Sequence, residues 1–301
     1  MGIAMEADTT LGEESGGLMA PSVLKEKTCI TSFMQPCPIY VFKMFTLMKE
    51  ILDYKLSASE AALWWLGQAG YIIRSAELTM VIDPYLSDSA ADGTPGLSRL
   101  YPPPVDPAAL QADVYIVTHD HLDHLDPHTL SPYRHKESTW FVAPRQAARK
   151  LVSLGIPESR ITIVHAGESW RYRNVEITGV FALPTGADVL DTTGYCIRFN
   201  NGRSVYHTSD TEFHPLVVAA APQQPELMLV PINGKWGNPT PDKAALFAHA
   251  LQPRFVMPNH YDLMALNAEN PDTFQWFCTQ QGMAQRCRIL ERMTPFVWND
   301  L

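Results

Sequence analysis

The ten residues 119–128 read HDHLDHLDPH and contain four of the chain's ten histidines together with three aspartates. They follow an apolar run, residues 114–118. Imidazole and carboxylate groups are ligands of Zn²⁺, Mn²⁺ and Fe²⁺, and loops at strand ends present binding groups on a rigid scaffold. The cluster therefore predicts a metal site in preference to a solvated polar loop.

The spacing within this cluster predicts more than one ion or more distant ligands. If the chain stays extended past the strand, His119, His121 and Asp123 project to one side, because side chains alternate along a strand. His124 must then come from a turn. Four ligands in six residues do not easily surround one ion, since their own backbone occupies much of the sphere. We therefore expect two neighbouring ions, or one ion completed by residues elsewhere in the chain.

Composition favours a globular protein that acts on a small molecule. The 301 residues, 46% of them hydrophobic, suffice for one large domain or two small ones. The formal charge is −9 and no run of Lys or Arg occurs, so nucleic acid is not an expected partner. Five cysteines without a CxxC pair favour a reducing cytoplasm over a disulfide framework. The sequence leaves a homo-oligomer open.

The chain is expected to divide into an appendage and one main domain. Residues 1–54 are predicted to be an N-terminal appendage, partly disordered, with a short helix over residues 42–54 that packs on the domain. No uninterrupted apolar span of about 18 to 20 residues occurs there, so no membrane helix is expected. Residues 55–301 are predicted to form the main domain.

The elements that must position the metal cluster alternate between strands and helices. Helical patterns cover residues 146–154, 213–220, 241–250 and 272–281. Strand patterns cover residues 63–66, 71–74, 80–82, 114–118, 140–143, 161–164, 175–180, 194–199, 204–207, 227–231 and 255–258. Asn200, Asn201 and Gly202 predict a hairpin turn, which a purely parallel sheet would not contain. The pattern indicates an α/β layered fold with mixed sheets covered by helices.

Four ordered motifs resemble those of the metallo-β-lactamase superfamily. THDHLDH at residues 118–124 matches the HxHxDH signature. WLGQAG at 65–70, followed by VIDP at 81–84, resembles the opening hairpin, YHTSDT at 206–211 the aspartate motif, and MPNHYD at 257–262 the final histidine. Four motifs in order are far more specific than one. The resemblance implies an αββα sandwich, two mixed β-sheets flanked by helices, with the site at one edge.

The resemblance also implies the metal ligands. They are His119, His121, Asp123, His124, Asp210 and His260. The first two would hold one ion, Asp210 would bridge, and the rest would hold a second ion. The cofactor would be a divalent metal, Zn²⁺ or Mn²⁺, with one or two ions per chain. Such an ion lowers the pKa of its bound water, which then attacks as hydroxide, and Asp123 is the candidate catalytic proton acceptor.

One ligand of the commonest pattern is absent. Many members of the superfamily carry a further histidine between the HxHxDH and aspartate motifs, but residues 179–195 contain none. Asp188, Asp191 or His207 are candidates to replace it; otherwise the first ion is weakly held. A Gly- and Thr-rich setting favours turn roles for the two aspartates. Asp83, after the strand at 80–82, is a candidate partner for a ligating imidazole or a turn starter.

The missing histidine, the WWLG start, H-x-x-D at 207–210 and P-x-H-x-D at 258–262 resemble the L-ascorbate-6-phosphate lactonase-like branch. That resemblance implies a lactonase or esterase acting on a lactone of a sugar acid, phosphorylated or not, such as L-ascorbate 6-phosphate. Irregular segments 86–107 and 233–238 are predicted to border the site. Their Arg99 and Lys235 are candidates to recognise a phosphate or carboxylate.

Two other functions remain open. A phosphodiesterase or nuclease of the same superfamily would use two metals for in-line displacement at phosphorus, although the acidic composition counts against it. A metal-binding module that has lost catalysis is the other, because the first site lacks a ligand. One fold hosts many reactions, so the fold does not choose among them.

Overall fold

The computed structural model describes residues 47–92, 94 and 96–299. Its first strands are β1 (Ala61–Gly67), β2 (Gly70–Ser75), β3 (Thr79–Ile82), β4 (Val114–Ile116), β5 (Trp140–Ala143), β6 (Ile161–Ile163) and β7 (Ser169–Tyr172). The later strands are β8 (Val175–Phe181), β9 (Thr193–Phe199), β10 (Ser204–His207), β11 (Leu227–Pro231), β12 (Phe255–Asn259) and β13 (Phe296–Trp298). The helices are α1 (residues 47–53), α2 (Pro127–Leu130), α3 (Arg145–Ser153), α4 (Pro215–Ala220), α5 (Pro241–Leu251) and α6 (Pro271–Gln280).

The strands form two mixed sheets. One has the order β13-β1-β2-β3-β4-β5-β6, in which the pairs up to β2–β3 are antiparallel and those from β3–β4 onward are parallel. The other has the order β12-β11-β10-β9-β8-β7, antiparallel from β7 to β10 and parallel from β10 to β12. Two mixed sheets with flanking helices are the predicted architecture, which is confirmed.

Alternating residues of β1 explain how the layers pack. Leu63 and Trp65 belong to a core that joins residues of both sheets, whereas Trp64 and Leu66 belong to a second core that includes α1 and α3. Because side chains alternate along a strand, a strand buried on both faces reads as a continuous apolar run. Packing on both faces fixes the position of β1 and therefore of the residues that follow its end.

Most of the predicted elements are observed. The four predicted helices appear as α3 to α6, and the eleven predicted strands all appear, with ends shifted by a few residues. The hairpin at residues 200–202 joins β9 and β10 as antiparallel neighbours, and Gly202 has φ +86°. Strands β7 and β13 and helix α2 were not predicted, because each spans only three or four residues and so carries little periodicity.

Helix α1 lies in the predicted appendage and packs on the domain. Met48 and Ile51 are buried in the second core, and the Arg74 guanidinium group donates hydrogen bonds to the carbonyl groups of Ile51 and Tyr54. The predictions for residues 1–46 lie outside the described residues. Within the described part of the chain, no helix has the length and apolarity that crossing a membrane requires.

Candidate metal centre

The candidate ligands lie where strands of both sheets end. Gln68 follows β1, Asp83 follows β3, the HxHxDH segment follows β4, Asp210 follows β10, and His260 follows β12. Gln68, Asp83 and His260 have φ angles of +52°, +43° and +60°, and Ser209 before Asp210 has +64°. Non-glycine residues with positive φ are uncommon and cluster at functional sites. These sharp turns direct side chains out of the sheets into one region.

Asp123, His124, Asp210 and His260 form what we call the inner cluster. The His124 Nε2 atom lies 3.5 Å from Asp210 Oδ1 and 3.8 Å from Asp123 Oδ2. The His260 Nε2 atom lies 3.2 Å from Oδ2 of Asp123 and 3.2 Å from Oδ2 of Asp210. Both imidazoles are buried. Two nitrogens and two carboxylates therefore face one small volume.

Asp83 fixes the tautomer of His124. Its Oδ2 atom lies 2.7 Å from His124 Nδ1, and both side chains are fully buried. Because Nδ1–H donates to Asp83, Nε2 is the His124 nitrogen that is available to bind a metal ion. That atom is buried and has no hydrogen-bond partner of normal geometry among the described residues. An unpartnered imidazole nitrogen beside two carboxylates fits a divalent cation, so the residues present fit a metal ion.

His119 and His121 form what we call the histidine pair. The Thr118 hydroxyl donates to Asp83 at 2.6 Å and lies 3.0 Å from His119 Nδ1, whose N–H donates a hydrogen bond to it. This leaves His119 Nε2 unprotonated, 3.1 Å from His121 Nδ1. Two nitrogens that each lie about 2.0–2.1 Å from one Zn²⁺ are separated by a similar distance. His119 also has its ligand atom within 4.8 Å of those of His124 and Asp210.

Of the three candidates to replace the missing histidine, Asp188 alone reaches the histidine pair. Its Oδ2 lies 3.3 Å from His121 Nε2, and its side chain is 78% exposed. Asp191 instead accepts from the backbone N–H of Gln146 at 3.2 Å, in the first turn of α3. His207 uses both ring nitrogens, since Nε2 donates to the Ala69 carbonyl at 2.9 Å and Nδ1 accepts from Ser209 N–H.

Burial and neighbouring charges shift the pKa values of the site residues. Burial, followed by the neighbouring His124, holds the pKa of His119 well below its usual range. Burial opposes ionisation of Asp210, but His260 and His124 outweigh it and hold the Asp210 pKa well below its usual range. Burial likewise opposes protonation of His260, yet Asp210 and Asp123 raise its pKa to about 9. A divalent cation would supply the charge that these carboxylates favour and would displace protons from the rings.

Three amide residues not predicted as site residues hold the inner cluster in place. Gln68 Nε2 donates to Asp123 Oδ2 at 2.8 Å, and Asn238 Nδ2 donates to Asp210 Oδ2 at 2.8 Å. The Asn267 amide contacts His260 Nδ1 at 2.8 Å. Gln68 lies in the WLGQAG motif and Asn238 at the end of the predicted 233–238 segment, but Asn267 carries no sequence signal. Such partners orient ligands and tune their affinity.

A cavity of about 310 Å³ lies directly over the site. Its polar lining includes His121, Asp123, Asp188, Asp210 and His260, and its apolar lining includes Ala90, Leu97, Trp236 and Met264. The predicted segments 86–107 and 233–238 both contribute, through Ala90, Leu97 and Trp236. Among the described residues that line it there is no lysine or arginine, so Arg99 and Lys235 are not brought to the cavity.

Comparisons with known proteins agree with this geometry. A family model described as "Beta-lactamase superfamily domain" matches residues 79–261. A UPF0173 metal-dependent hydrolase of Cupriavidus taiwanensis is 30% identical over 244 residues, which cover 73% of this chain and 80% of that protein. The isothiocyanate hydrolase from Delia radicum gut bacteria is similar in structure, with a TM-score of 0.66 and 16% identity over 79% of this chain and 100% of that chain. The metallo-β-lactamase fold protein YhfI from Bacillus subtilis has a TM-score of 0.58 and 14% identity, covering 80% of this chain and 100% of that one.

Proposed function

This chain is a metal-dependent hydrolase of the metallo-β-lactamase superfamily, in the UPF0173 family, and from that premise we propose that it opens a lactone or a related carboxylic ester. The observation that carries the proposal is the position of Asp123. Its carboxylate belongs to the inner cluster and also lines the cavity, so it can contact both the ion and a reacting water.

Neighbouring side chains fix the position and the ionisation of Asp123. Gln68 donates to its Oδ2 at 2.8 Å. Burial opposes ionisation of Asp123, but His124 and His260 outweigh it and hold its pKa below the usual range, so its carboxyl group is ionised. A divalent ion, when bound, lowers the pKa of water and polarises the scissile carbonyl. Asp123 then orients the attacking water, accepts its proton and delivers that proton to the alkoxide released when the acyl–oxygen bond breaks.

A lactone is the substrate class implied by the resemblance to the L-ascorbate-6-phosphate lactonase-like branch, and the cavity has the size of a small-molecule site. A phosphate group on that lactone has less support, because no cationic side chain among the described residues lines the cavity. The intact inner cluster under an accessible cavity supports catalysis over a metal-binding module without turnover.

Phosphodiester hydrolysis is the second candidate. The observation in its favour is that Asp210, a member of the inner cluster, also has a carboxylate oxygen within 4.8 Å of the ligand atom of His119, an arrangement that suits two ions. Pairs of metals about 3.5 to 4 Å apart serve displacement at phosphorus. The acidic chain, and a cavity without a lysine or arginine among the described residues that line it, favour the carbonyl substrate instead.

The test is a panel of lactones, aryl esters, an aryl phosphodiester, an isothiocyanate and a β-lactam, given to protein loaded with Zn²⁺ or Mn²⁺. We expect lactone or ester hydrolysis by the wild type and a loss of about 10²-fold or more in His121→Ala and Asp210→Ala, since each removes a candidate ligand. His249→Ala and Asp272→Ala, exposed positions on α5 and α6, are the matched controls. Equal rates in all five proteins, or turnover of the phosphodiester alone, would contradict the proposal.

A further inference from the structure

We infer that the substrate is an uncharged lactone or ester with an apolar substituent beside the scissile bond. This inference rests on the proposed function and adds the substrate class. Three observations carry it: an apolar wall built against the metal centre, cations that are bound elsewhere, and a carboxylate at the rim of the cavity.

The apolar wall is preformed. Met264 is 1% exposed and packs in a small cluster with Tyr85 and Leu263, against which Ala90 and Leu97 also pack. Backbone hydrogen bonds tie the two segments that form this wall: Leu100 N–H donates to Leu263 O at 2.7 Å, and Leu266 N–H to Gly96 O at 2.9 Å. A wall fixed in this way loses little conformational entropy when an apolar group binds.

Trp236, in the segment 233–238, adds an aromatic side chain to the lining of the cavity. Its side chain lines the cavity and is 52% exposed, and its backbone has φ +49°. A large aromatic ring left half in water over a metal centre offers apolar area that a substrate group can cover. The neighbouring Gly237 has φ +89° and lies against Thr185, which also lines the cavity.

The segments 86–107 and 233–238 each contain a cationic side chain, Arg99 and Lys235, that donates hydrogen bonds to backbone carbonyl groups. Arg99 donates to Tyr85 O at 2.7 Å and to Tyr101 O at 3.1 Å, with its guanidinium group over both rings. Lys235 donates to Leu266 O at 2.7 Å. These contacts hold the loops together, and an anionic substrate group would have to break them to gain a charge partner.

The rim of the cavity carries negative charge. Asp188 lines the cavity with 78% of its side chain exposed, and it does not belong to the inner cluster. A phosphate or carboxylate on the substrate would approach Asp188 without a lysine or arginine among the described lining residues to offset the repulsion. The carboxylate at the rim and the apolar wall therefore both favour an uncharged, apolar substrate group.

The experiment compares lactones of one ring size that carry a neutral alkyl chain or the same chain ending in a carboxylate or phosphate, using full-length protein loaded with metal. We expect kcat/KM to favour the neutral member by at least about tenfold. It should also rise about threefold to fourfold per added methylene until the cavity is filled. Equal or faster hydrolysis of the anionic member would overturn the inference and leave the proposed function standing. Absence of lactone and ester hydrolysis, with turnover of the phosphodiester, would overturn both.

Leu97→Lys tests the wall directly. A lysine there adds a cation to the cavity and should reduce the preference for the neutral lactone by about tenfold. Leu216→Lys, on α4 with a side chain that is 60% exposed and away from the cavity, makes the same charge change and should leave the preference unaltered. Trp236→Ala, at an exposed position, serves if Leu97→Lys does not fold: it should reduce the gain per methylene. An unchanged gain in Trp236→Ala would contradict the role of the wall.

Discussion

The inner cluster and the histidine pair are built differently although they share one site. Each member of the inner cluster has a buried partner that holds it: Gln68 for Asp123, Asp83 for His124, Asn238 for Asp210 and Asn267 for His260. In the histidine pair, Thr118 holds His119, but the partner of His121 is Asp188, whose side chain is 78% exposed. The comparison indicates two unequal positions for metal.

The difference between the two metal positions suits a hydrolytic reaction. A position surrounded by buried, hydrogen-bonded ligands keeps its ion, because the ligands need little reorganisation to bind it. A position with few protein ligands beside the cavity leaves coordination sites for water and substrate. Because residues 179–195 contain no histidine, we expect an ion held by the histidine pair to have fewer protein ligands than one held by the inner cluster.

The largest expected effect follows from Asp210→Ala, since Asp210 lies near both positions. Removing its carboxylate should reduce kcat/KM by more than about 10³-fold, which corresponds to about 4 kcal/mol, and should leave no ion that survives gel filtration. Elemental analysis together with steady-state kinetics measures both. Retention of a full complement of metal by this variant would show that Asp210 does not bridge the two positions.

Removing one histidine from each region tests the comparison itself. We expect His260→Ala to lose the tightly held ion, with a fall in activity of about 10²-fold or more. His121→Ala should keep that ion and lose the weaker one. Metal titration of the apoprotein by calorimetry separates the two events. If both variants lose the same ion with the same affinity, the two regions form a single metal position and the comparison is wrong.

Asp83→Asn examines the strongest of the buried partners. In the carboxylate, Oδ2 accepts from His124 Nδ1–H and from the Thr118 hydroxyl, while Oδ1 accepts from Thr118 N–H. An amide has only one oxygen, so its NH₂ group must face one of these donors, which disturbs the contacts that fix the tautomers of His119 and His124. Mutation of such a partner costs about 10- to 100-fold in metal affinity. Competition against a chelator measures the affinity, and histidine nitrogen NMR shifts report the tautomers. Unchanged shifts and affinity would assign Asp83 to turn formation alone.

Much of the architecture is readable from the sequence, because strands such as β1 are apolar on both faces and the helices begin and end at Pro, Gly or capping residues. The HxHxDH segment is also readable, since its ligands are consecutive and follow a strand. Asp210 and His260 are isolated in the sequence, and the resemblance to a family identified them. Their approach to the segment depends on how two sheets are arranged.

The site residues that the sequence did not predict were missed for one physical reason. Gln68, Asn238 and Asn267 are neutral amides without metal-ligand spacing, and they matter only through partners that are distant in sequence. Arg99 and Lys235 are the reverse case, since the sequence singled them out and the structure places them outside the lining of the cavity. Their charge suggested anion recognition, but the carbonyl groups that bind them belong to the local fold, which composition does not reveal.

The smallest expected effect comes from Asp188→Asn, compared with Asp191→Asn. Because His121 Nδ1 faces His119 Nε2 and its Nε2 faces Asp188, we expect Asp188 to orient the ring while Nδ1 binds the ion. The amide should reduce the affinity for an ion at the histidine pair by about tenfold, at the lower end of such effects. The affinity for an ion at the inner cluster should not change. Asp191→Asn should leave both affinities unchanged and reduce stability by about 1 kcal/mol or less through the first turn of α3. If Asp188→Asn loses the ion at the histidine pair completely and Asp188→His restores it, Asp188 is instead the ligand that replaces the missing histidine.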